Sequence, residues 1–151
     1  MAVLDGAAIA AQLQQAARDG AGRQALLQLA ADRIRAAGSP YTSAYLYMLH
    51  GQELVLEAFS GRETDHTRIP VGKGVCGTAV ATGLDQNVPD VQAIGNYLAC
   101  NLETRSELVV LIRRGEEIRG QIDIDSDVIG PFTAAEEAEN RRVAEALAEL
   151  L

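Results

Sequence analysis

The chain has 151 residues, 48% of them apolar and 23% charged, which suits one globular domain with a real core and excludes a disordered chain. Its net charge of −8 disfavours nucleic acid and anionic membranes as partners, because both select clustered Lys and Arg. No apolar run reaches the length of a membrane span, and "MAVLDGAAIAAQLQQ" lacks the positive start of a secretory signal, so a cytoplasmic location is expected.

Residues 5–19 and 22–37 read as helices, broken apart by Asp19-Gly20-Ala21-Gly22. In the second, Leu26, Leu27, Leu29, Ala30, Ile34 and Ala37 recur at roughly helical spacing, and Gly38-Ser39-Pro40 ends it. The same apolar, Ala-rich run, "LQLAADRIRAAG", also suggests a homodimer through the first helices. "TSAYLYML" and "ELVLEAF" read as a hairpin turned at "HGQ". "TRIPVG" is a short extended piece, and "GVCGTAVATG" a short helix stopping at Gly83. From Leu84 to Glu103 the signals are mixed, with Pro89, Gly95 and few apolar runs. A long ordered loop with one helical turn is expected there, and such loops often carry function.

"SELVVLIRR" and "EEIRGQIDID" read as strands around a turn at Gly115. "TAAEEAENRRVAEALAELL" closes as a helix, with Thr133 and Glu136 at capping-box spacing. With no internal repeat or low-complexity linker, the expectation is one domain over 1–151. Its helices at 1–38 precede the sheet, loop and last helix at 42–151. This order gives an α+β fold: an antiparallel sheet with the terminal helices on one face.

Two cysteines, Cys76 and Cys100, are the reactive candidates, and a cytoplasmic setting keeps them reduced at rest. Cys76 sits early in a short helix among small residues. Compact packing fits that position, and so does a thiolate favoured by the helix dipole. Cys100 lies in the long loop, outside any apolar periodic segment. Asp123 and Asp125 are two apart on a strand and share one of its sides, opposite Ile122 and Ile124. They are either solvated or line a polar pocket. Cys76, Cys100 and His66 have no metal-ligand spacing, so no metal and no cofactor is expected. Neither GxSxG nor a Walker phosphate loop is present.

"RIPVGKGVCGTAVATG", "NYLACNLETRSELVV" and "RGQIDIDSDVIGPFT" resemble the GAF-domain family, and within it the free methionine-(R)-sulfoxide reductases. The resemblance covers residues 42–151 and is most specific in the second half. It implies a GAF-like sheet and roles by position. Cys100 matches the cysteine that attacks the sulfoxide sulfur. Glu107, Asp123 and Asp125 match carboxylates lining the substrate pocket, and Tyr45 matches a pocket tyrosine. Tyr41 stands near the place of a family tryptophan, and the resemblance implies that it too lines the substrate pocket. Cys76 matches a second family cysteine and is the one other thiol able to resolve Cys100. The implied substrate is free methionine-(R)-sulfoxide or a similar small ligand, with recycling by a thioredoxin-like reductant. The family's third cysteine, just before "RIP", is missing, with His66 near its place. That departure favours a second reading, a non-catalytic GAF module that binds a small ligand or senses redox state. A chain ending at Leu151 with no signalling segment favours the enzyme. A plain dimerisation scaffold leaves the acidic cluster unexplained.

Overall fold

The computed structural model describes residues 1–94 and 103–151. Two helices, α1 (Gly6–Arg18) and α2 (Arg23–Ala36), precede a hairpin of β1 (Ser43–His50) and β2 (Glu53–Ser60). Next come β3 (Arg68–Pro70), α3 (Gly74–Thr82), β4 (Gln86–Val88) and a 3₁₀ turn at Val91–Ala93. The hairpin of β5 (Ser106–Arg114) and β6 (Glu117–Ser126) follows, and α4 (Ala134–Leu150) closes the chain. All pairings are antiparallel in one six-stranded sheet of order β3-β2-β1-β6-β5-β4. The α+β class holds, with α1, α2 and α4 gathered on one face.

Strand alternation separates two cores. Ala44, Leu46 and Met48 of β1, Leu108, Val110 and Ile112 of β5, and Ile122 and Ile124 of β6 face the helices. There they meet Leu13, Leu27, Ile34, Val143 and Leu147, each fully buried. Burying one such side chain contributes about 1.5–3 kcal/mol, so each of these contacts is a sizeable share of a domain's net stability. The stripe of α2 that suggested a dimer is part of it: Leu26, Leu27, Ala30, Ala31 and Ile34 are all buried within the chain. The opposite sheet face holds Tyr45, Tyr47, Val109 and Leu111, packed with Val75, Cys76 and Ala79 of α3.

Two local expectations change. Inside the presumed loop, β4 forms a short edge strand, pairing Gln86 with Val109 and Val88 with Glu107. Three residues are too few for a periodic signal, and the strand exists because β5 offers it a free edge. The 3₁₀ turn supplies the expected helical turn, while residues 95–102, including Cys100, lie outside the described residues. At α4, Thr133 caps as expected, its Oγ1 accepting from the Glu136 N–H at 3.3 Å. Glu136, however, accepts from the N–H groups of Val3 (2.6 Å) and Leu4 (3.2 Å) and from the Tyr41 hydroxyl (2.6 Å). The carboxyl thus ties the N-terminal segment and the chain before β1 onto α4.

Candidate active site

Glycine spacing sets the position of Cys76. A Cβ on Gly77 would lie 2.5 Å from the Pro70 carbonyl oxygen and 3.0 Å from the Gly72 nitrogen, so only glycine lets α3 approach the end of β3 this closely. The Gly72 N–H donates to the Gly77 carbonyl at 2.8 Å, fixing that contact. Cys76, in the first turn of α3, is 5% exposed and aims its thiol at the sheet. Its Sγ lies 3.6 Å from Glu107 Oε2.

The sheet supplies the acids. Glu107 of β5 pairs with Asp125 of β6, and Tyr45 of β1 pairs with Asp123. Alternation therefore puts Glu107, Asp123, Asp125 and Tyr45 on the α3 side. Glu107, Asp123 and Asp125 are 3%, 0% and 2% exposed. Donor atoms of Cys76, Glu107 and Asp123 lie within 4.8 Å of one another. Among the described residues, neither oxygen of Asp123 nor of Asp125 has a hydrogen bond of standard geometry. Burial pushes the Asp123 carboxyl above the usual range, and nearby Glu107 and Cys76 offset part of that. Burial raises Asp125 further, the Asp123 charge adds to it, and the Arg62 guanidinium counters in part. Buried carboxyls so weakly compensated favour a bound proton or a cationic ligand.

Tyr45 lies on the same sheet face as these acids. Its ring stacks on Phe59 at 6.0 Å, and its hydroxyl donates to the Arg62 carbonyl at 2.7 Å. Tyr47 donates to the His66 carbonyl at 2.6 Å. The segment between β2 and β3 is thereby tied to β1 at two points. A third tie is the Arg62 N–H donating to Ser43 Oγ at 2.9 Å. Arg62 reaches on with two bonds of 2.6 Å to Asp127 and one of 2.8 Å to Glu103.

The structure brings together Cys76, Glu107 and Asp123, and places Asp125 and Tyr45 on the same face. Cys100 lies outside the described residues. Tyr41 does not join them: it sits among the helix-side residues, bonded to Glu136 and Asn140 and 5.7 Å from the Phe132 ring. It precedes β1, so strand alternation does not govern its direction. Sequence reasoning missed Tyr47 and Arg62. Alternation with Tyr45 gives Tyr47 away, whereas nothing in "SGRETD" singles out Arg62.

The family model for the GAF domain matches residues 22–151. The chain belongs to the GAF domain family. Over 108 residues this GAF chain is 40% identical to the free methionine-R-sulfoxide reductase of Escherichia coli (strain K12). That match covers 72% of this chain and 65% of the relative, so the chain spans just under two thirds of that protein's length. Among solved structures it is similar to a type II free methionine-R-sulfoxide reductase from Thermoplasma acidophilum. The identity is 37% and the TM-score 0.82, covering 85% of this chain and 91% of the other. A second is the free methionine-R-sulfoxide reductase from Neisseria meningitidis in complex with its substrate. Here the identity is 30% and the TM-score 0.85, covering 94% and 85%. No described helix of this GAF domain is long and apolar enough to cross a membrane.

Proposed function

We propose that this GAF domain reduces free methionine-(R)-sulfoxide to methionine, with Cys100 as the attacking thiol. The observation that supports this reading best is the set of three buried carboxyls, Glu107, Asp123 and Asp125, on one sheet face beside Cys76. A free amino acid supplies what they call for. Its ammonium neutralises one carboxylate, and its sulfoxide oxygen accepts a proton from an acid kept neutral by burial and by its neighbour's charge.

Electrons and atoms then balance in three steps. The Cys100 thiol takes the sulfoxide oxygen, giving methionine and a Cys100 sulfenic acid. The Cys76 thiol attacks that sulfur, releasing water and forming a Cys76–Cys100 disulfide. An external dithiol of the thioredoxin type reduces the disulfide and leaves as its own disulfide. Tyr45 contributes the pocket wall.

The test is NADPH consumption with thioredoxin, thioredoxin reductase and the separated sulfoxide epimers. Turnover of the R epimer alone is expected. No turnover of either epimer, with tight binding of the free amino acid, would transfer the protein to the second reading. That reading is a small-ligand or redox-sensing module, favoured by His66 standing near the missing cysteine's place.

A further inference from the structure

We propose that Cys76, Glu107 and Asp123 form a binding site for a divalent cation of the zinc class, and that a metal held there closes the acidic pocket to its small-molecule ligand. Three donor atoms from three separate elements, α3, β5 and β6, converge within 4.8 Å. The spacing fits: Cys76 Sγ and Glu107 Oε2 are 3.6 Å apart. A tetrahedral centre with Zn–S of about 2.3 Å and Zn–O of about 2.0 Å has an S···O edge of roughly 3.5 Å.

The independent sign of a ligand is Asp123. It is 0% exposed, and among the described residues neither of its oxygens has a hydrogen bond of standard geometry, so its neighbours Glu107 and Cys76 offset its burial only in part. An acid so placed is stabilised by a cation. The thiol sets the class of that cation. Mg²⁺ and Ca²⁺ select six or more oxygen ligands, whereas one sulfur with two carboxylates suits zinc and its neighbours. Three ligands are found among the described residues, and a tetrahedral centre has a fourth position that water can take. Binding converts the Cys76 thiol to a thiolate and releases its proton to solvent, so no oxidant or reductant is involved.

Metal binding stands apart from the reductase reading; the blocking effect rests on it, since the same carboxylates are assigned there to the sulfoxide. The two are tested separately. Cys76 is the sole cysteine left in the Cys100→Ser protein, so cobalt(II) added to that variant reports on one sulfur. The expected result is a thiolate-to-cobalt charge-transfer band that saturates at one metal per chain. Cys76→Ala in the same background should remove the band, and Asp123→Asn should weaken zinc more than tenfold in competition with a chromophoric chelator. No band with circular dichroism unchanged, or zinc affinity indifferent to Asp123→Asn, would overturn the site. If Cys100→Ser fails to fold, wild-type protein serves: zinc should slow alkylation of the Cys76 peptide, read by mass spectrometry, and equal labelling with and without zinc would overturn it. Free methionine-(R)-sulfoxide should raise the apparent zinc Kd in proportion to its concentration. Zinc binding that ignores the sulfoxide would refute the blocking role while leaving the metal site intact.

Discussion

Tyr41→Phe removes one oxygen from the interior of the helical face and leaves the ring in place. That oxygen donates to Glu136 Oε1 at 2.6 Å and accepts from Asn140 Nδ2 at 3.0 Å, in a residue 2% exposed. Burial, with the Glu136 bond second, raises the Tyr41 pKa, so the phenol remains a donor across the physiological range. Hydrogen bonds to charged groups contribute about 1.5–3 kcal/mol. The partners keep other bonds: Glu136 retains the Val3 and Leu4 N–H groups, and Asn140 Nδ2 retains the Glu136 carbonyl at 2.9 Å. The loss therefore belongs at the lower end, about 1.5–2 kcal/mol, or a fall in Tm of roughly 3–8 °C for a domain of this size. Thermal and urea unfolding measure it, and kinetics on free methionine-(R)-sulfoxide run beside them. Stability should drop while kcat and KM stay unchanged. A wild-type Tm together with a raised KM would refute the placement of Tyr41 in the helical core and return it to the ligand pocket.

At the site, Asp125→Asn should raise Tm at neutral pH and lower sulfoxide reduction. The sign follows from burial: a carboxyl raised in the fold has its full stability below the unfolded value of about 3.9, and loses it as pH rises through the folded value. Wild type and variant should therefore converge in acid and separate as pH rises; parallel curves would contradict this. Gly77→Ala should cost about 1–3 kcal/mol by forcing α3 away from the Pro70 carbonyl, and should change the alkylation rate of Cys76, whereas an unchanged Tm would show the turn to be soft. Cys76→Ser should complete one turnover and stall at the Cys100 sulfenic acid, trapped by dimedone. In the wild type, stoichiometric sulfoxide should yield a peptide pair linking Cys76 and Cys100 with two hydrogens lost, and multiple turnovers of Cys76→Ser with thioredoxin alone would remove its resolving role.

Period-2 alternation made much of the sheet readable. Asp123 and Asp125 opposite Ile122 and Ile124 gave two faces, and the structure confirms which one meets the helices. Gly83, at φ of +70° as the C-cap of α3, marked the end of that helix. What alternation could not supply was anything decided by contact between distant segments. β4 depends on the free edge of β5. The side chain of Glu136 went to Val3 and Leu4 rather than back to its own helix end, since 133 and 132 residues separate those partners. Tyr41 followed the same carboxyl to the other side of the sheet. Cys76 was visible as a helix-start cysteine, but its 3.6 Å approach to Glu107 arises from the packing of α3 on β5. Arg62, held by Asp127 and Glu103, lies in a turn whose composition is ordinary.

A single-turnover experiment tests the central claim most directly. Reduced protein is mixed with a small excess of one methionine sulfoxide epimer, with no external reductant, and the methionine released per chain is counted. The account predicts one methionine per chain from the R epimer, none from the S epimer, and none from either when Cys100→Ser is used. No methionine from the R epimer with fully reduced wild-type protein, or an undiminished yield from Cys100→Ser, would contradict it.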